Sequence, residues 1–513
     1  MSSATRRLRA FKRWMKSQGI DFSDALNFTD DPLQGIAVRA VCDLKEGDVV
    51  ATIPKTSCLT IKTSGAHELI ESAGLGGLLG LAVALMYEKS LGEKSPWAGY
   101  LQLLPERECM PLVWTLDEVD SLLGGTELHK IVKEDKALIY EDWKENILPL
   151  VDSVPSKLDR KSFGIEDYFS AKSLIASRSF EVDDFHGSGM VPLADLFNHK
   201  TGAEDVHFTD YHGESDDDAE NDNNSINDYS DDVLATASKV EPPAENFQQD
   251  QKYMSATSTN SESAIGLEES SVSADNPMVL EMIMVKNVNA GAEVFNTYGS
   301  MGNAALLHRY GFTEPDNTYD IVNIDLELVL KWSSSLFSSR YCRPRLSLWR
   351  RLDYSGCISQ SSEYFEVSSD GEPQIELLVL LYIMLLPENA FSKLDFTVST
   401  GSNCNGILSE NCDSMRNKLL EMSKELLLTE SVCQALMSLA DMRESSYGLI
   451  SLEEEIEALK RCCCIRERKL YHSMMLRVCE RRILDRLRTY AASAIQSFRS
   501  AKVPSTRKRL KRR

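Results

Sequence analysis

The sequence predicts an α+β chain in two parts: small β-sheets interrupted by helices and a long acidic loop, then an all-α unit. Three observations carry this reading. Short, β-branched, alternating segments stand near both ends of residues 24–299. Helical periodicity fills much of the stretch between them. From Glu376 to Ser497 amphipathic helical runs recur with no strand signal. At 513 residues and 42% hydrophobic content, the chain is long enough for two or three domains with a large buried core.

Residues 1–23 are expected to form one helix. Phe11, Trp14 and Met15 at i, i+3, i+4 give it an apolar stripe for packing on the domain. The same stretch, with Ser and Arg and no acid before Asp21, also has the make-up of a transit peptide. Over 33–62, "GIAVRAV", the turn "KEGD", "VVATIP" and "CLTI" read as strands with a hairpin signal at the Gly-containing turn. Residues 66–176 read as a helical insertion, with Pro96, Pro105 and Pro111 at its connections.

Between Glu204 and Pro277 there are 19 Asp/Glu against two Lys, so −17 of the net charge of −22 lies in that stretch. Residues 204–276 have too little apolar surface to offset their ordering entropy, and are expected to be a disordered insertion within the domain. The plain reading is a solvated spacer; the alternative is electrostatic attraction of basic substrates. Order is expected to resume in "PMVLEMIMVKNVNAGAEVFNTYG", as two strands around "NAGAE". Residues 300–375 then read as a following segment and linker, 376–497 as the all-α domain, and 498–513 as a basic tail. Six of the last seven residues are Lys or Arg, which suits a nuclear address, an RNA-contacting arm or a frayed terminus.

Several classes are set aside. The twelve cysteines are scattered, and consecutive Cys462, Cys463 and Cys464 cannot all face one metal, so free thiols and no metal site are expected. The apolar runs "GLLGLAVALMY" and "LLVLLYIMLL" are about half a membrane span, so no membrane association is expected. "GLGG" at Gly74–Gly77 follows no strand and is not a dinucleotide fingerprint.

Four segments place unusual residues at strand ends. "LQGIA" contains Gly35, where backbone can approach a ligand closely. "SRSFEV" sets Arg178 and Phe180 two apart, on one face if it is a strand. "PLADLFNHK" brings Asp195, Asn198 and His199 after an apolar run. "VFNTYGSMGNAALLHRYGF" ends a strand at Tyr298, turns at Gly299, and sends Tyr310 and Phe312 back through a short helix.

These segments, with "SPWAGYLQLLPERECMPLVWT" and "LRVCERRIL", resemble the SET domain of protein lysine methyltransferases. The likeness is to the class of Rubisco large-subunit methyltransferase and the ribosomal-protein lysine methyltransferases, and it covers about residues 10–203 and 277–490. It implies a SET domain over 24–299, a C-terminal domain that docks a protein substrate, and S-adenosylmethionine as methyl donor. It also implies residue roles. Leu33, Gln34 and Gly35 would hold the methionine end of the donor, and Arg178 its carboxylate. Asn198 and His199 would bind adenine and amino-acid groups. Phe180 and Phe312 would pack on donor or substrate. Arg178, Val182 and Asp195 would line the substrate side, with Tyr298 and Tyr310 around the target nitrogen. The usual glycine-rich turn G-x-G is here Leu33-Gln34-Gly35, with one glycine missing.

The chemistry asks for such residues. A free lysine, with a pKa near 10.4, is less than about one part in a thousand neutral at pH 7. A narrow apolar channel lowers that pKa by desolvation and orients the nitrogen. Tyr298 can align the amine without serving as its base. The resemblance also implies the acceptor: a related branch that methylates histidine in actin has an asparagine where Phe180 stands, and phenylalanine cannot hydrogen-bond an imidazole. The expected activity is therefore protein-lysine N-methylation of a non-histone protein. The alternatives are a protein-histidine methyltransferase and an inactive SET-fold binding module. A monomer in nucleus or cytoplasm is expected, with chloroplast as the lesser alternative, and nucleic acid contact only through the basic tail.

Overall fold

The computed structural model describes residues 3–31, 35–210, 278–352, 364–401 and 424–501. Leu33, Gln34, residues 211–277 of the acidic insertion and the tail from 502 lie outside the described residues.

The helix α1 (Ser3–Ser17) buries Leu8, Phe11 and Met15, as its periodicity requires. Trp14 is half-buried; its indole nitrogen donates to the Pro96 carbonyl at 2.7 Å and its ring stacks on Tyr100. Among the described residues, eight strands then build the first unit: β1 (Asp21–Phe22), β2 (Leu26–Asp31), β3 (Gly35–Ala40), β4 (Val49–Pro54), β5 (Ser179–Asp183), β6 (Gly187–Met190), β7 (Val206–Asp210) and β8 (Val279–Met284). The largest sheet runs β1-β4-β8-β7, all antiparallel, and β2/β3 and β5/β6 are separate hairpins. In β8, "VLEMIM", Leu280, Met282 and Met284 point into the core while their neighbours are half-exposed, the period-2 signature of a one-sided sheet.

Several strand expectations are corrected. "GIAVRAV" does not pair with "VVATIP": β3 pairs with β2, while β4 lies between β1 and β8. The "KEGD" segment instead bonds across to 284–288, with Gly47 N on the Met284 carbonyl and Leu44 bridged to Val288. "CLTI" is no strand; a 3-10 turn at Lys55–Ser57 precedes a single bridge from Leu59 to Met190. The segments on either side of "NAGAE" take different partners, because 292–294 runs along β3. Residues 206–210, expected in the acidic insertion, form edge strand β7, with Val206 opposite Met284 and Asp210 opposite Leu280.

The apolar helix Gly77–Leu91 is buried along Leu81–Met86 and packs on the helix Ile165–Arg178. The second core starts earlier than residue 376. β9 (Val322–Asp325) pairs with β10 (Tyr364–Val367), and the helices Leu326–Leu336 and Ser339–Arg351 bury Trp332, Leu348 and Trp349 beside Leu377–Leu381. The stretch read as linker thus supplies a wall of the second core. The 34-residue helix Arg468–Ala501 joins both units: Leu476 packs with Trp114, Val119 and Leu307, and Ile483, Leu484 and Leu487 enter the second core. Among the described residues no single helix is long and apolar enough to cross a membrane.

Candidate active site

The strand-like segment 294–298 is held on both sides. Val294 N donates to the Val38 carbonyl of β3 at 2.8 Å, and Asn296 N to the Asn198 carbonyl at 2.9 Å. His199 and Asn296 form a parallel bridge, so the two motif halves, 99 residues apart at His199 and Tyr298, lie side by side. The Asn198 amide closes the arrangement by donating to the Ile36 carbonyl (3.2 Å) and to Glu293 Oε1 (2.8 Å). Its Oδ1 makes no bond among the described residues.

His199 Nδ1 accepts from Tyr298 N at 3.0 Å. The proton therefore sits on Nε2, which lies 3.3 Å from Thr201 Oγ1. Burial lowers the imidazole pKa, which keeps the ring neutral and that acceptor available. The ring stacks on Tyr298 at 4.9 Å, Tyr298 meets Tyr310 at 4.5 Å, and Phe312 closes the cluster 6.1 Å from His199 and 6.3 Å from Tyr310.

Two glycines make this return possible. Gly299 has φ +102°, and Gly311 caps the helix Asn303–Tyr310 in the left-handed region with φ +76°. A Cβ on Gly311 would stand 2.2 Å from the Cys109 carbonyl, so no other residue fits there. The Tyr298 hydroxyl donates to the Phe197 carbonyl at 3.1 Å. Burial raises the phenol pKa further, so it stays protonated near neutrality and offers a donor and lone pairs rather than a base.

Arg178 departs from its expected setting. It is the last residue of the helix Ile165–Arg178, and Phe180 alone is on β5. Its Nε donates to Glu108 at 2.7 Å, and Nη1 to the Asp195 carbonyl (3.1 Å) and carboxylate (3.3 Å). Only Nη2 remains without a bond among the described residues. Asp195 is also corrected: its side chain is wholly buried, bonded through Oδ2 to the Tyr100 hydroxyl at 2.9 Å, and so does not stand on an open wall. Its Oδ1 is buried with no partner among the described residues, and burial raises the carboxyl pKa. Just before it, fully buried Leu193 holds φ +81° and ψ −48°, a strained turn of the kind that gathers at functional sites.

Val182 is 3% exposed and packs inward, whereas Phe180 is half-buried against Phe208 at 5.5 Å. Gly35 opens β3 with φ +85°, and nothing lies within 4 Å of where a Cβ would be, which leaves room beside Asn198. The structure thus brings Gly35, Asn198, His199, Tyr298, Tyr310 and Phe312 together, with Arg178 and Asp195 behind them. Tyr100, Glu108, Phe208 and Glu293 were not singled out by sequence. Tyr100 alone had a signal, its place in "SPWAGYLQLLP".

No protein-family model matches the chain. The fold is that of solved Rubisco LSMT structures: the SET domain of LSMT bound to lysine and AdoHcy superposes with a TM-score of 0.62 at 18% identity, covering 99% of this chain and 98% of that one. The chain has the SET-domain fold of Rubisco large-subunit methyltransferase. A second SET neighbour, Rubisco LSMT bound to AdoMet, gives a TM-score of 0.59 at 17% identity over 98% of this chain and 97% of that one. Among sequence relatives, ribosomal lysine N-methyltransferase 3 of Saccharomyces cerevisiae is 27% identical over 62% of this chain, and the match spans 66% of the yeast protein, just under two thirds. The N-lysine methyltransferase SETD6 of Bos taurus is 23% identical over 88% of this chain and 89% of its own length.

Proposed function

We propose that this chain is an S-adenosylmethionine-dependent protein-lysine N-methyltransferase acting on a non-histone protein. One observation carries the reading: Tyr298, a protonated phenol at a glycine turn, is packed between His199 and Tyr310 beside the Asn198–Ile36 contact. The names of the relatives and the ligands of the solved neighbours support it.

The residues present fit the donor. Gly35 faces open space, Asn198 Oδ1 and Arg178 Nη2 have bonding capacity left, and buried Asp195 Oδ1 lacks a partner. Asn198, the Gly35 backbone, Phe312 and Arg178 Nη2 would hold it; both ring nitrogens of His199 are already engaged, which leaves that residue its backbone groups. When bound, S-adenosylmethionine supplies an electrophilic methyl group on a sulfonium. The chain does the rest by environment. Tyr298 and Tyr310 desolvate the acceptor amine, which favours its neutral form. The Tyr298 hydroxyl, fixed by its bond to Phe197, orients the nitrogen lone pair. Phe180, at the position the resemblance sets on the acceptor side, offers no donor or acceptor to an imidazole, which favours lysine over histidine.

The protein substrate is docked by the C-terminal helical unit, and the chain acts as a monomer. That unit has its own core and exposes Leu449 and Ile450 at the turn after the helix Glu430–Glu444. The test is incubation of the full chain with labelled donor and a matching cell extract, followed by mass spectrometry of labelled peptides. Methyl-lysine is expected. Methyl-histidine, or donor binding with no transfer to any protein, would overturn the reading.

A further inference from the structure

The helix α1 has two opposed faces. Leu8, Phe11 and Met15 are buried in the first core. The other face carries Arg6, Arg9, Lys12, Arg13 and Lys16, which line a cleft of about 900 Å³ with Phe22 in its wall. From Arg6 to Lys16 the cations extend over about 15 Å of helix. Arg7 lies off this face and pairs with Asp30 at 3.1 Å. No ion pair is made by Arg6, Lys12, Arg13 or Lys16 among the described residues, although Asp21 and Asp24 border the cleft. The Lys12 ammonium sits over the rings of Phe22 (5.7 Å) and Phe28 (4.9 Å), which presents the charge at the half-buried Phe22.

Arg6, Lys12, Arg13 and Lys16 repel one another with no ion-pair partner among the described residues, and the chain that keeps them has a net charge of −22. Their common partner is therefore a polyanion. A bilayer is disfavoured because the apolar face of α1 is already buried, which leaves no side chains to insert. A concave, positively lined groove with an aromatic wall is what single-stranded nucleic acid uses, phosphates along the cations and a base against the ring.

We propose that the α1 cleft binds the phosphate backbone of single-stranded nucleic acid, without reading base sequence. This is a second site, independent of methyl transfer, and it differs from the expectation that only the basic tail would contact nucleic acid.

The test titrates the full chain against a fluorescein-labelled oligouridylate of about 20 nucleotides, by anisotropy over a range of salt. The variants are Arg6→Glu/Arg13→Glu/Lys16→Glu and the neutral set Arg6→Gln/Arg13→Gln/Lys16→Gln. All three positions are exposed, and unchanged S-adenosylmethionine binding by calorimetry confirms the fold of each variant. The glutamate variant is expected to lose at least about tenfold in affinity near 0.1 M salt, with the glutamine variant between. The slope of log K against log salt should shrink by about 2 in the glutamine variant, about 0.7 for each phosphate that is no longer neutralised. The proposal is overturned if both variants bind as the parent does, which would assign binding to the tail. It is equally overturned if the parent binds polyglutamate or phosphatidylserine vesicles through these residues and not the oligonucleotide.

Discussion

At the site, Tyr298, Tyr310, His199 and Phe312 are held by ring packing and by bonds to backbone; at the junction of the two cores, charged side chains hold the structure. Arg443 donates to the carbonyls of Gly125 (2.7 Å) and Asn323 (3.2 Å) and to Glu127 (3.0 Å), and lies 3.7 Å from Glu480. Arg477 spans Gly124 and Glu455, and Arg481 joins Glu455 to Glu444. Burial pushes the Glu480 carboxyl pKa up even beside Arg443. The difference has a chemical sense. On the function proposed above, a site that favours a neutral amine keeps its nearest groups neutral, whereas a junction needs direction and register, which ion pairs give at the cost of desolvation.

The comparison breaks most visibly at Arg443. Arg443→Leu removes the cation beside Glu127 and buried Glu480 and the donor to the Gly125 carbonyl, leaving Glu127 only its bonds from Asn323, and should destabilise the chain by roughly 3–5 kcal/mol. Chemical denaturation measures it; a loss below about 1 kcal/mol would show that the junction does not depend on this pairing.

Next in size is Tyr298→Phe. Removing one hydroxyl from a packed ring should leave folding and donor binding close to the parent. Methyl transfer should fall by about 100-fold or more, the scale of deleting one oriented group at a reaction centre. Single-turnover transfer and donor calorimetry separate the two effects, and near-normal turnover would remove Tyr298 from the chemistry.

His472 tests whether neutrality matters beyond the site. Its Nδ1 accepts from Thr313 N (3.0 Å), immediately after Phe312, and burial pushes its pKa down to about 4. The unfolded chain takes up this proton below pH 6.5 and the folded chain resists it. The stabilisation is complete above about pH 6.5 and is lost as pH falls through about 4, up to roughly 3 kcal/mol. His472→Asn, which keeps a short acceptor, should flatten the difference in denaturation midpoint across that window. An unchanged pH profile would show that His472 is not the group behind the acid loss.

The parts legible in the sequence were those with local signals. Tyr298, Gly299, Tyr310 and Phe312 lie within one stretch, where a glycine turn and a short helix suffice to bring the rings together. β7 was hidden because Val206 and Phe208 stand in an acidic setting, and their order comes from pairing with β8, more than 70 residues away. Arg178 was misplaced because a helix runs into a strand at Ser179, and period-2 spacing does not extend across that boundary. Glu108 and Tyr100, which hold Arg178 and Asp195, carry no local sign of those partners; only the packing of the helical insertion brings them there.

The smallest effect sharpens the contrast within the charged junction itself. Lys469 pairs with Glu118 at 2.7 Å across the same two units, but each side chain is 36% exposed. Glu118 would not be orphaned by Lys469→Ala, because it also accepts from Thr115 N in a capping box. The loss should therefore stay below about 1 kcal/mol and shrink as salt is raised, since the pair lies within reach of screening ions. The Arg443→Leu loss should persist in the same salt series, because Arg443 and Glu480 are buried and Glu127 is mostly covered. Measuring both variants at low and high salt asks directly whether burial, rather than charge count, sets what an ion pair contributes here; equal losses with equal salt dependence would mean that it does not.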